Sequence, residues 1–152
     1  VSDGLELLLT ERALWRALTG FASAMDRRDW SALEAIIAAD ATADLGTGEV
    51  RGRAQIVDVM RSFLDACGPT QHLLGNFTAE ISGATASTRV YVSDRHVGAG
   101  DKSALTLSTL GEYHDQWQRR DERWWLVRRV KHNHAVLGSF EVLGPGPQGW
   151  RS

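Results

Sequence analysis

The segment FASAMDRRDW, residues 21–30, holds the first residue whose position bears on chemistry. It reads as the end of an amphipathic helix, and Asp26 follows Phe21 at a point where neighbouring apolar residues face inward. Arg27, Arg28 and Asp29 come directly after it, so the chain had other places to keep charge in water. Asp26 is therefore either an ordinary helix-terminus residue or an acid placed for a reaction. An acid of this kind makes chemical sense together with a histidine such as His72. A neutral imidazole is a suitable base near neutrality. A carboxylate on one ring nitrogen fixes the tautomer and supports the imidazolium that forms, the role the aspartate has in a serine hydrolase triad. No nucleophilic serine is needed if the imidazole takes a proton from carbon. Spacing alone leaves the plainer alternative open, in which Asp26 begins a turn and His72 is a core histidine satisfied by backbone.

Four further features carry weaker signals. His96 shares a strand face with Val90, Val92 and Asp94 by period-two counting, so it either lines a cavity with them or sits in water at the strand end. Trp117 lies on the face of Tyr113 and Asp115 and could wall a flat substrate, although most tryptophans belong to cores or interfaces. Arg128 shares a face with Trp124 and Leu126 by the same counting. It could hold a carbonyl or carboxylate, against which stands a salt bridge to an acid on the next strand. HNH at residues 132–134 puts two histidines on one face, but a metal site needs a third ligand from elsewhere, and no metal is expected.

The elements that must position these groups follow from pattern. A chain of 152 residues suits one domain with one core, here expected over residues 1–152 with a centre at 10–136 and a tail at 140–152. Hydrophobic residues make up 43% and charged residues 24%, as in ordinary globular proteins. A net charge of -2, with Asp121 and Glu122 interrupting the arginine-rich stretch, argues against nucleic acid as a partner. Cys67 is the single cysteine, which leaves no internal disulfide and fits a cytoplasmic setting. LELLL is too short to span a bilayer and lacks the flanks of a signal peptide, so no membrane association is expected.

Thr10 reads as the cap of a first helix over residues 11–27 with Leu14, Leu18, Phe21, Ala22 and Met25 at helical spacing. Asp29 can cap a short second helix, WSALEAIIAA. ATADLG alternates like a short strand, GTGE reads as a turn, and residues 53–67 form a third amphipathic helix stopped by Gly68 and Pro69. The second half alternates in long strands (TQHLLGNFTAEIS, ATASTRVYVSDRHV, SALTLSTLGEYHDQWQRR and RWWLVRRVKHNHAVLG) with short turns between. Three helices before a meander of long strands is an α+β pattern. Strands this long must curve, and helices across the concave face would make a cone with a pocket. GPGPQGWRS is expected to be poorly ordered or to drape over a partner.

The order of these elements, with AMDRRDW, VRGRAQIVDVM, TQHLLGN and GEYHDQWQRRDERWWLV, resembles the SnoaL-like branch of the nuclear-transport-factor-two-like superfamily over most of residues 10–136. The resemblance implies a cone-shaped α+β barrel of a curved, mainly antiparallel sheet, with N-terminal helices covering an apolar cavity. Asp26 and His72 stand where members resembling scytalone dehydratase, bile-acid dehydratase and hexachlorocyclohexane dehydrochlorinase carry a pocket carboxylate and a catalytic histidine. Scytalone dehydratase has a second pocket histidine in the region of His96. Phe21 is the departure: the bile-acid dehydratases have tyrosine there and the dehydrochlorinase lysine, and Phe21 cannot donate a proton. Outer sheet faces commonly pair between subunits in this superfamily, so a homo-oligomer is expected.

The function these observations point to is a cofactor-independent lyase of the dehydratase type, or an isomerase, acting on a small, mostly apolar ring compound. His72 would take the proton and Asp26 support it, with Phe21, His96, Trp117 and Arg128 contacting substrate. The rival is a non-catalytic ligand-binding or subunit-assembly module on the same fold. Geometry separates the two, because a working pair needs Asp26 and His72 within hydrogen-bond distance at a closed cavity.

Overall fold

The computed structural model of the protein describes residues 2–150. Helix α1, Ser2–Arg27, opens the chain. A six-residue 3-10 turn, Trp30–Ala35, follows on an Asp29 cap whose side chain accepts from the Ala32 backbone N–H. Strands β1 (Ile37–Asp44) and β2 (Glu49–Arg51) lead to helix α2 (Arg53–Leu64). Four long strands complete the fold: β3 (Thr70–Ser82), β4 (Thr85–Val97), β5 (Thr106–Arg120) and β6 (Arg123–Gly138). They make one six-stranded sheet in the order β2-β1-β6-β5-β4-β3. Only β1 and β6 pair in parallel; every other neighbour is antiparallel. The sheet is an open, curved α+β cone with β2 and β3 at its edges, and α1 packs on β3 while α2 packs on β1.

Two-residue turns join β3 to β4 and β5 to β6, whereas β4 and β5 are joined by residues 98–105, which carry a 3-10 turn at Gly100–Lys102. At the β5–β6 turn both Asp121 and Glu122 have positive φ, 50° and 61°. That is the turn geometry whose twist matches antiparallel strands. Four places break the regular register: Ile37 to Thr42 in β1, Gly75 to Thr78 in β3, Val127 in β6 opposite the step from Gln116 to Trp117, and His134 in β6 opposite the step from Leu110 to Gly111. An extra residue bends its strand and turns the following side chains to the other face. These bulges curl the sheet around the helices.

The structure corrects several expected boundaries. Helix α1 runs through Thr10 to Ser2, because leucine and glutamate propagate a helix and no glycine or proline run stops it. Residues 36–39 leave the helical path: Ile37 begins a strand aligned with Leu126 of β6, so sheet pairing overrides an alanine-rich helical pattern. GTGE contributes Glu49 to the short strand β2. The tail to Trp150 is folded against its own chain. Gly144 N–H donates to Phe63 O at 2.8 Å, and the Trp150 ring packs edge-on against Phe63 at 4.9 Å. The last two residues of that tail lie outside the described residues. Among the described residues no helix is long and apolar enough to cross a membrane.

The core fills the concave side. Leu14, Leu18, Phe21 and Met25 of α1 and Ile56, Met60 and Leu64 of α2 meet Val90, Val92, Tyr113 and Trp117 of the sheet. Trp117 is fully buried there, and its indole N–H donates to Thr88 Oγ1 at 2.9 Å. Trp117→Phe keeps most of the volume but strips Thr88 of its donor, so unfolding free energy should fall by about 1–3 kcal/mol. Adding Thr88→Val should recover part of that loss, because two apolar groups need no partner. Urea titration of the three variants checks it; a double variant no better than the single would show that packing, not the hydrogen bond, carries the effect.

Candidate active site

Asp26 occupies the last turn of α1 and His72 the third position of β3. The structure brings them together. Asp26 Oδ1 lies 2.6 Å from His72 Nδ1, and Oδ2 accepts the His72 backbone N–H at 3.0 Å. A carboxylate accepts, so the short contact requires the proton on Nδ1; in the neutral ring the lone pair is then on Nε2. Thr70 Oγ1 donates to Asp26 Oδ1 at 3.0 Å. Burial alone would raise the Asp26 pKa. The hydrogen bonds from the His72 side chain and backbone and from Thr70, with the attraction of the imidazole, outweigh burial and hold the carboxyl below its ordinary value of 3.8.

Arg28 fixes this pair, a role its sequence position did not reveal. It sits just past the helix with φ of 56°, in the left-handed region that a non-glycine residue seldom adopts. The turn folds its guanidinium inward. Nη1 donates to Met25 O at 2.7 Å and to Thr70 Oγ1 at 2.9 Å, Nε to Leu64 O at 2.9 Å and Nη2 to Gly68 O at 3.0 Å. One side chain thus ties the end of α1 to the end of α2 and the start of β3.

A cavity of about 280 Å³ opens beside His72. Phe21, His72 and His96 all line it, with Met25, Met60 and Phe63 supplying apolar wall and Phe140, Leu143 and Trp150 of the tail at its border. Asp26 stands behind the His72 ring. His96 meets His72 edge-on with ring centres 5.5 Å apart. His96 Nδ1 lies 3.3 Å from Leu107 O, a contact that also places the proton on Nδ1. Burial, opposed by the nearby Asp94 charge, depresses the His96 pKa and keeps the ring neutral.

Two more charged groups reach the cavity from β6. The Arg129 guanidinium lies between the rings of Phe21, at 4.1 Å, and Tyr113, at 3.9 Å. It pairs with buried Asp115 through Nε at 2.9 Å and Nη2 at 2.7 Å, and its Nη1 is buried without a hydrogen-bond partner among the described residues. Lys131 Nζ donates to buried Asp94 Oδ2 at 2.7 Å. Burial would raise the Asp94 pKa, but Lys131 and the Thr109 hydroxyl lower it past the ordinary value. His72, Asp94 and His96 approach one another closely enough to suggest a metal triad. Both Asp94 oxygens already have donors, Oδ2 from Lys131 and Oδ1 from the Thr109 backbone N–H and hydroxyl, so Asp94 serves here as the partner of an ion pair.

Two expected contacts are corrected. Trp117 does not reach the cavity; it is sealed in the core with Thr88. Arg128 points to the outer side, where Nη1 donates to Glu49 Oε1 at 2.7 Å and to Thr42 Oγ1 at 2.9 Å. The cause is the bulge at Val127: Leu126 faces inward, one residue is inserted, and Arg129 rather than Arg128 takes the next inward position. Arg129 and Lys131 were therefore hidden from period-two counting. His134 lies on the outer side with Nε2 2.7 Å from Glu112 Oε2, and His132 stacks near His114 there.

The curved sheet, the covering helices and the histidine-lined cavity define a cone fold of the nuclear-transport-factor-two type. The chain matches the SnoaL-like domain over residues 6–130 and belongs to that family. It is 31% identical over 133 residues to the uncharacterized protein Rv2910c of Mycobacterium tuberculosis, covering 86% of this chain and 85% of that one. Among solved structures it resembles a hexachlorocyclohexane dehydrochlorinase, LinA type 2, with a TM-score of 0.80, 18% identity and coverage of 96% and 99% of the two chains. A candidate scytalone dehydratase of Novosphingobium aromaticivorans superposes with a TM-score of 0.78, 19% identity and 98% of each chain covered. These likenesses to solved structures establish the shared fold.

The shifted carboxyl and imidazole groups set a pH signature. For Asp26 the folded value is lowered, so its stabilising contribution is complete above the ordinary 3.8 and is lost as pH falls through the folded value. For His96 the folded value is also lowered, so the unfolded chain gains a proton first as pH falls below the ordinary 6.5, and stability declines from there. In denaturant titrations across pH, the gap between wild type and Asp26→Asn should close below pH 3.8. His96→Gln should flatten the part of the slope that begins near pH 6.5. A gap independent of pH would show that Asp26 contributes shape rather than charge.

Proposed function

We propose that the protein is a lyase of the dehydratase type, or an isomerase, that acts on a small, mostly apolar cyclic substrate by removing a proton from carbon. The observation that carries this is the 2.6 Å contact of Asp26 with His72 Nδ1 at the wall of a cavity, which leaves Nε2 of His72 as the basic nitrogen. His72 takes the proton, and Asp26 supports the imidazolium. In an elimination the imidazolium returns the proton to the departing group; in an isomerisation it returns it to another carbon or to oxygen. These steps use only the chain's own acid and base. Phe21 supplies no proton, but with Tyr113 it holds Arg129 at the cavity, where the free Nη1 can donate to a polar end of the substrate. Two solved structures of the same fold, a dehydrochlorinase and a candidate dehydratase, are named for reactions of the same elimination type. That the pair meets at the wall of an unfilled cavity favours this reading over a non-catalytic binding or assembly module. The single free cysteine fits a cytoplasmic setting.

The test begins with a screen of cyclic alcohols and ketones for elimination and for exchange of C–H with deuterium from solvent, read by NMR. On a confirmed substrate, Asp26→Asn should lower turnover by about 10² to 10⁴. His72→Ala should lower it at least as much, and the double variant little further, because the two act as one unit. Near-normal turnover in both single variants would remove the pair from the mechanism.

Assembly belongs to the same proposal. On the outer side of the sheet Leu73, Tyr91, Leu110 and Leu137 are exposed across β3 to β6, and Ser93 aligns with both Leu73 and Leu110. This uncharged row would be covered by the same row of a second copy of the chain. Light scattering should report an oligomer, and Leu110→Glu should shift it to a single chain; a monomeric wild type would refute the assignment.

A further inference from the structure

Proton removal from carbon leaves an electron pair that needs a home. In an apolar cavity a carbanion has no water to stabilise it, so a donor must face the atom on which charge collects. His72 and Asp26 do not supply that donor, because their one shared proton lies between them.

Lys131 has the properties required. It lines the same cavity as His72 and His96. An ammonium carries three N–H donors. One goes to Asp94 Oδ2 at 2.7 Å and a second, longer contact reaches Thr109 Oγ1 at 3.4 Å. The third has the cavity to point into. The mooring is rigid. Asp94 is wholly buried and also accepts the Thr109 backbone N–H at 3.1 Å and the Thr109 hydroxyl at 2.6 Å. A carboxylate with this many donors cannot swing out to water and take the lysine with it. Asp94 Oδ1 is in turn 3.6 Å from the His96 ring, which meets His72 edge-on, so the ammonium and the base belong to one continuous cluster.

We infer that Lys131 is a catalytic residue of this pocket, whose ammonium binds the oxygen that becomes negative when His72 removes a proton from the neighbouring carbon. The inference rests on the reading of His72 as the base, and it narrows the substrate to a carbonyl compound with a C–H beside the carbonyl. The electrons balance as follows. The C–H bond breaks, its proton goes to His72 Nε2, and its pair forms a C=C bond as the carbonyl π pair moves onto oxygen. The oxyanion accepts a hydrogen bond from Lys131 without taking its proton. In an elimination the oxygen returns its pair, the C=C bond shifts to the next carbon, and hydroxide leaves with the proton from the His72 imidazolium as water. A substrate without oxygen would leave Lys131 unused.

The probe is 4-nitrophenol, whose phenolate is a flat, conjugated oxyanion and absorbs differently from the neutral phenol. At a pH where the free phenol is mostly neutral, wild type should bind it as phenolate. Lys131→Met should weaken binding by about ten- to a hundredfold and leave any bound phenol neutral, since a hydrogen bond to charge is lost. His72→Gln should still bind phenolate. Lys131→Met strands the buried Asp94 charge and so strains the fold. The double variant Lys131→Met with Asp94→Asn removes both charges, and its circular dichroism and thermal transition establish that it folds. Loss of phenolate in the folded double variant, with retention in His72→Gln, supports the inference. Phenolate bound equally by wild type and the double variant overturns it, as does a wild type that binds no phenolate. The deuterium-exchange assay judges His72 separately, so the two readings fail independently.

Discussion

A carboxylate drawn partly out of water must be met by donors or it will protonate, and the site is built around meeting that need at Asp26. Three donors converge on it: the Thr70 hydroxyl, the His72 backbone N–H and the His72 ring. They come from the first three residues of β3, so the strand must start at one place relative to the end of α1. Arg28 sets that place by bonding Thr70 and Gly68 while also closing the ends of both helices. The positive φ at Arg28 is the conformational cost, on the order of 1 kcal/mol or more for a non-glycine residue. It is offset by a guanidinium whose donors meet acceptors from three elements. The His72 ring is oriented because helix and strand are locked together, and the lock is one residue beyond the helix.

The same constraint explains why the sequence disclosed this part of the site and concealed another. Asp26 is visible because it breaks an apolar face, whereas His72 stood out only through the family resemblance, since a histidine near the start of a strand has no pattern of its own. Arg28 looked like surface charge, since nothing in a one-dimensional pattern shows an arginine turning back under its own helix. Period two correctly grouped Val90, Val92, Asp94 and His96 because β4 keeps regular register with β5 throughout. It failed in β6 because Val127 is inserted there. One extra residue exchanged Arg128 for Arg129 and brought Lys131 inward. A bulge leaves no residue-type signature in RWWLVRRVKHNH, so only the register could reveal it.

The fold was legible where elements are long and strongly patterned. The four strands of the second half and helix α2 lie within a few residues of expectation. The misread stretch, residues 36–39, has little intrinsic preference: alanine permits either state, and the decision comes from β6, more than eighty residues away. Trp117 was misassigned for a related reason. Its face was right, but depth along the cone decides whether an inward residue meets core or cavity. Trp117 lies near the closed hairpin end with Ala86 and Leu126, whereas Thr109 and Leu107 of the same strand reach the open end.

Depth also orders the charges. Each basic group at the cavity is backed by a carboxylate set into the wall: Asp26 behind His72, Asp115 behind Arg129 and Asp94 behind Lys131. Burying three such pairs contributes little net stability, because desolvation of each charge offsets most of the attraction. What the arrangement provides is direction. Every acid is consumed by its own partner, so the groups left facing the cavity are the imidazoles of His72 and His96 and two cationic donors, Arg129 and Lys131. Charge that develops in the cavity is then met only if it is negative. An apolar lining with fixed donors at one side is what the proposed heterolytic C–H cleavage requires, since the electron pair must be held while the proton is away.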